Sequence, residues 1–441
     1  MDEIAGLPFA ELHLDKDGQR VDPHSAIIPS GITDLIVISH GWKNERGHAI
    51  ALYEGLLRNV AAAGGAALGS GGRSFGVTGI FWPALHYRSD LTLVPADPGV
   101  PHGQGGAAST VAQDLSRAAL RAEAETFAAD LGVDPAAFGN LAVRASGGGA
   151  AADEFVEALR DVLGAAPEPE IELDHAELFS ASGADLVEAL SQGGSFEGET
   201  PLSPTSDGDP GGAAGFSSVT RKGWRLLSGG KSAVASLLNQ ASYFEMKKRA
   251  GIVGSALASL LEREDLRGLR VHLVGHSFGA RLASAAANEM RDLRPASLSL
   301  LQGAFSHNGF GSGIGAGRID GGFRQVVAGN RVTGPILVTH THRDVAVGFF
   351  YAVASTVSGE IAKGLTGGRI IGGADDLHGG IGANGALALA VGESVHLKAS
   401  KGTPPALTAG LVNNVLADEI VSGHNDVVNP DVGALVWNAI A

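Results

Sequence analysis

The stretch Val271–Ala283, VHLVGHSFGARLA, places Ser277 between two glycines. An apolar run (Val271, Leu273, Val274) precedes it, and the helix-like ARLASAAANEM follows. A strand, a sharp turn and a helix in that order set a serine hydroxyl at the tip of the turn, where it can act as a nucleophile. A hydroxyl is a weak nucleophile, so it needs a base, and the base needs an acid to orient it. Asp344 ends the strand-like PILVTH and its continuation THRD, and His424 lies in SGHND, a loop after the last strand-like run, LVNNVLAD. The order Ser277, Asp344, His424 puts all three at strand C-termini, where open α/β sheets hold their sites. The chemistry such a set performs is acyl transfer through a covalent intermediate. A second G-x-S-x-G, GRSFG at Gly72–Gly76, has a Gly-rich loop before it and a strand after it, so Ser74 reads as a turn residue.

The oxyanion of such a reaction needs two preorganised N–H donors. The Phe278 amide directly follows the nucleophile, and the Trp42 amide lies in VISHGWKNE, where Gly41 lets the backbone come close. His40 reads as a structural residue that shapes this loop. Trp82, Phe305 and Phe349 lie near expected strand ends and suggest an apolar pocket for the acyl or alcohol group. Rival bases are His307 and His378, while His276 is too close to Ser277 along the chain to serve it. Rival acids are Asp375 and Asp376. Asp426, two residues from His424, reads as a loop acceptor, and Asp344 could also cap the helical VAVGFFYAVAS. A second chemistry is open at HTHRD, where His340, His342 and Asp344 have the H-x-H-x-D spacing of a hydrolytic metal site. SGGKSA is not a phosphate loop, because Arg225 stands where its first glycine belongs and no strand precedes it.

These residues require an α/β scaffold. Strands are expected near Ala10–Leu14, Asp34–Ser39, Val77–Trp82, Val271–Val274, Leu298–Leu301, Ile336–Thr339 and Leu411–Leu416. Helices are expected near Glu45–Ala62, Ala233–Glu262, Ala280–Arg291, Val345–Thr356 and Asp431–Ala439. Strand–helix alternation argues for a mostly parallel sheet with helices on both faces. Residues 84–228 break the rhythm with Ala/Glu-rich helical stretches at Ser116–Leu131 and Ala151–Leu163. They also contain a Gly/Ser/Pro-rich stretch, about Gln192–Ser218, too polar to build a core. The expected division is therefore a first core segment 1–83, an insertion 84–228 that is lid-like or accessory, and a second core segment 229–441 carrying the three reactive residues.

With 32 Lys/Arg against 47 Asp/Glu the net charge is −15, which disfavours nucleic acids and anionic membrane surfaces as partners. There is no cysteine, hence no disulfide and no thiolate metal site or nucleophile. No long apolar run predicts a transmembrane helix, and MDEIAGLPFAELHLDKDG lacks a basic-then-apolar signal, so the expected location is cytoplasmic. A secreted protein whose leader had been removed would read the same way.

The segments SHGW (Ser39–Trp42), VGHSFGA (Val274–Ala280), THRD and SGHND together resemble the α/β-hydrolase superfamily of serine esterases and lipases. The resemblance covers about Ala10–Pro83 and Ala233–Ala441. It implies hydrolysis of small or lipid-like carboxylic esters through an acyl-enzyme, with no metal or other cofactor. The same three residues could also cleave amides or thioesters. Where the family most often carries its lid, after the sixth strand, this chain has only the short Gly303–Gly334 connection; its large insertion follows the fourth strand instead.

Overall fold

The structure is a computed structural model that describes residues 3–41, 46–65, 72–84, 93–95, 116–164, 176–192, 194–196, 224–226, 228–264, 266, 268–344, 347 and 377–441. In chain order the strands are β1 (Glu3–Ile4), β2 (Leu7–His13), β3 (Asp34–Ser39), β4 (Phe75–Phe81), β5 (Leu93–Pro95), β6 (Gly194–Phe196), β7 (Trp224–Leu226), β8 (Arg270–His276), β9 (Ser297–Leu301), β10 (Ile336–His340), β11 (Ser394–Lys398) and β12 (Val412–Leu416). The helices are α1 (Arg46–Gly64), α2 (Arg117–Asp130), α3 (Pro135–Ala145), α4 (Ala150–Leu163), α5 (Ala176–Ser180), α6 (Gly183–Ser191), α7 (Gly230–Arg263), α8 (Phe278–Glu289), α9 (Arg324–Ala328), α10 (Ile381–Asn384) and α11 (Pro430–Ile440).

Nine strands form one sheet in the order β1-β2-β4-β3-β8-β9-β10-β12-β11. Only β1, paired with β2, runs antiparallel; the other ladders are parallel. Parallel strands need both faces covered, and β3 and β4 are buried along their whole length. The period-two alternation of a strand then divides the core. Leu35 and Val37 of β3 join one cluster with α7 and α8. Ile36 and Ile38 join another with α1 and α11. The chain is thus α/β, with a mostly parallel sheet and helices on both faces, as expected from the alternating pattern.

This topology fixes where a site can form. β3 leads through α1 on one face to β4, whereas β8 leads through α8 on the other face to β9. Neighbouring strands whose connections leave in opposite directions open a crevice at their C-terminal ends. At the other end of the same strands, buried Asp34 accepts hydrogen bonds from Arg73 (2.6 Å), Arg270 (3.0 Å), His272 (3.2 Å) and Thr33 (2.7 Å). Burial would raise that carboxyl, but these partners hold it far below the usual carboxylate range.

Between β4 and β8 the chain leaves the sheet. Helices α2, α3, α4 and α6 pack together, and Phe127, Phe138 and Phe155 from them lie in the same core cluster as Leu35, Val37 and α7. Ser116 and Asp134 cap α2 and α3 through their side chains. Most of the Gly/Ser/Pro-rich stretch 192–218 and the expected helix Val345–Thr356 lie outside the described residues. The edge strand β11 was not expected. SVHLK has two apolar residues and none that is fully buried, so it carries no burial pattern to read.

Candidate active site

Ser277 stands between β8 and α8 in a left-handed conformation, φ 59° and ψ −122°. A non-glycine residue there is strained, and the flanking glycines make the turn possible. A Cβ on Gly275 would overlap the Gly279 carbonyl, and one on Gly279 would overlap the carbonyls of Ser39 and His40. The third glycine is Gly41, where a methyl would overlap Ser277 Cβ and lie 2.9 Å from its Oγ. The end of β3 and the turn after β8 therefore approach so closely that only glycine fits.

His424 Nε2 lies 2.9 Å from Ser277 Oγ, and His424 Nδ1 lies 2.9 Å from Asp344 Oδ2. A carboxylate at Nδ1 fixes the proton there, so Nδ1–H donates to Asp344 and Nε2 accepts from the Ser277 hydroxyl. The Asp344 side chain is fully buried, while 11% of the His424 side chain is exposed. Residues separated by 80 and 147 positions thus form one hydrogen-bonded chain. Asp344 Oδ1 also accepts the Val347 amide at 3.0 Å, a capping bond that coexists with the contact to His424.

Two further histidines hold the surrounding loops. His276 Nε2–H donates to the His424 carbonyl at 2.9 Å, and burial pushes the ring down to about 3, so it stays neutral. His40 Nδ1–H donates to the Gly41 carbonyl at 2.8 Å; burial takes that ring down to about 4. The His40 amide donates to Tyr53 Oη at 2.8 Å, whose own hydroxyl donates to the Ile80 carbonyl. Trp82 stacks on His40, with ring centroids 5.6 Å apart, and its indole N–H reaches Ser39 Oγ at 3.2 Å. His40 holds its loop in the structural role expected of it, whereas nothing in the sequence marks Tyr53, which lies inside a helix and is not set apart by any motif.

The remaining candidates fall as follows. The Phe278 amide opens α8 immediately after Ser277, and its ring packs on Tyr243 of α7 at 5.0 Å. Trp82 and Phe305 are buried; Phe305 belongs to an aromatic cluster with Phe310 and Phe323. Trp42, Phe349, Asp375 and Asp376 lie outside the described residues. Asp426 accepts from the Ser422 amide (2.9 Å) and hydroxyl (2.7 Å), the loop role expected of it. Ser74 donates to the Gly31 carbonyl at 3.0 Å, in a turn before β4. In HTHRD the side chains take separate partners, Asp344 binding His424 and His342 Nδ1 binding Asp418 at 2.9 Å. Burial would raise the Asp418 carboxyl, but hydrogen bonds from His342 and Thr341 bring it down to about 2. Among the described residues no group of three or more His, Cys, Asp or Glu is arranged to hold a metal ion, and no helix is long and apolar enough to cross a membrane.

Comparison of the chain with protein-family models, curated proteins and solved structures finds no match.

Proposed function

We propose that the chain is a serine hydrolase of the α/β-hydrolase type that cleaves carboxylic esters. The observation that carries this reading is the chain Ser277–His424–Asp344, with 2.9 Å at each link, centred on a strained serine at the crevice between β3 and β8. A serine in a plain turn has no need of a left-handed backbone, a histidine acceptor and a buried carboxylate together.

In this mechanism His424 Nε2 takes the Ser277 proton as Oγ attacks the ester carbonyl carbon. Asp344 orients the imidazole and stabilises its cationic form. The oxyanion is held by the Phe278 amide, with the sequence assigning the second donor to the amide of Trp42. His424 then gives its proton to the leaving alkoxide, and the alcohol departs from an acyl-Ser277. A water deprotonated by His424 attacks that acyl group, and the acid leaves with Ser277 restored. The insertion after the fourth strand of the α/β-hydrolase order supplies α2 to α6, which pack on α7, the helix that in turn supports α8.

The test is hydrolysis of a series of p-nitrophenyl esters by the purified chain and by Ser277→Ala. The reading predicts turnover that falls by several orders of magnitude in the variant while its fold is kept. Equal turnover by both proteins would refute it.

A further inference from the structure

We propose that Gln302 is a positioning residue for Asp344, and that the turn 301–304 couples that acid to the Ser277 backbone. The proposal rests on the serine-hydrolase reading above and adds to it a residue outside the proposed triad and oxyanion donors.

The first observation concerns the backbone. Six non-glycine residues among those described have positive φ: Ala5, Ser277, Gln302, Arg318, Asn330 and Ala388. Only Ser277 and Gln302 are buried, at 1% and 0% exposure. Elsewhere this glycine-rich chain fills most of its left-handed positions with glycine. At the end of β9 it keeps a long polar side chain at φ 45° instead, with the strain that implies. A position that served only as a turn would be relieved by glycine. The side chain is what the position retains.

The second observation is where that side chain goes. Gln302 Nε2 donates to Asp344 Oδ2 at 3.3 Å and to the Gly382 carbonyl at 3.0 Å. Its Oε1 accepts the Thr339 hydroxyl at 2.9 Å, and Thr339 Oγ1 accepts the Gln302 amide at 3.2 Å. A carboxylate and a carbonyl are both acceptors, so only the nitrogen of the carboxamide can face them. The orientation of the amide is therefore fixed by its partners. Asp344 Oδ2 is shared between His424 Nδ1 and Gln302 Nε2, and Oδ1 takes the Val347 amide. The carboxylate cannot swing without losing one of these.

The third observation joins the two ends. The Ser277 amide donates to the Leu301 carbonyl at 3.1 Å, and the Ala304 amide donates to the Ser277 carbonyl at 3.0 Å. Gln302 thus sits inside a turn that grips the nucleophile through the backbone and the acid through a side chain. Among the described residues, the titratable groups around this cradle include His424, then His276 with its ring 5.0 Å from that of His424 and His40 beyond it, and, past Thr341, Asp418 with His342.

Two variants test the role, Gln302→Met and Gln302→Glu, with kcat taken per fluorophosphonate-reactive site so that misfolded protein does not count. Gln302→Met removes the donor at similar length. It should lower kcat by about 10- to 100-fold, the equivalent of one hydrogen bond to a charged group, with KM within about twofold. Gln302→Glu places a second carboxylate against Asp344. When ionised it favours the protonated imidazole, so the acidic limb of kcat/KM should move up by about one pH unit. If both variants fold and keep the wild-type kcat and pH limb, the positioning role is wrong and the serine-hydrolase reading stands. If the wild-type chain neither hydrolyses esters nor accepts the probe at Ser277, that reading falls and this one with it. Should Gln302→Glu fail to fold, Gln302→Met decides through the kcat–KM split and the NMR shift of the His424 Nδ1 proton; no change in either overturns the proposal.

Discussion

His276 makes the stability of the site depend on pH, with a sign that can be worked out. Its ring is buried, donates Nε2–H to the His424 carbonyl at 2.9 Å, and is pushed by burial down to about 3. In the unfolded chain an imidazole titrates near pH 6.5. Between pH 6.5 and about 3 the unfolded chain binds a proton here that the folded chain does not. Stability from this group is therefore fully present above pH 6.5 and is lost at about 1.4 kcal/mol per pH unit as the solution is acidified. At pH 4.5 the loss is roughly 3 kcal/mol, a large share of the margin of a typical domain. His40, held down to about 4, acts with the same sign over most of the same window. The perturbation is His276→Gln, which keeps a side-chain donor but does not titrate. The assay is urea unfolding followed by circular dichroism at several pH values from 7.5 to 4.5. Contributions from other groups largely cancel in the difference between the two proteins. The wild-type chain should lose roughly 3 kcal/mol relative to the variant over that range. A difference that does not change with pH would refute the buried neutral state of His276.

Asp344→Asn should lower kcat by about 10⁴-fold through loss of the correct histidine tautomer, while Asp426→Asn should cost less than about tenfold. Steady-state kinetics on one ester compares the two acids, and the reverse order would assign the triad acid to Asp426 instead of Asp344. Gly41→Ala should reduce kcat by about 100-fold or more, because the methyl overlaps Ser277 Cβ and displaces the nucleophile. Gly47→Ala, whose methyl would meet nothing within 4 Å, is the matched control and should retain activity.

The elements that sequence made legible are those with a burial pattern. DLIVIS is apolar throughout its centre because both faces of β3 are covered, and the expected strand matches the observed one residue for residue. VHLVGHSFGA was readable because its glycines, strand and helix each answer a separate steric demand. Asp344 and His424 could be selected because strand C-termini converge at the crevice, and the two side chains do meet there. Gln302 had no such signal. Its left-handed φ depends on how β9 turns toward Gly303, and its partners Thr339, Asp344 and Gly382 lie 37, 42 and 80 positions away. β11 escapes for the opposite reason: a half-buried edge strand pairs through its backbone and needs little apolar sequence.

The most direct test of the central claim is peptide mapping after reaction with a fluorophosphonate probe. The probe reacts only with a serine hydroxyl activated by a neighbouring base, and the account predicts one adduct, on Ser277. That adduct should be absent in Ser277→Ala and strongly slowed in His424→Ala. An adduct on Ser74 or any other serine, or none on a chain that hydrolyses esters, would contradict it.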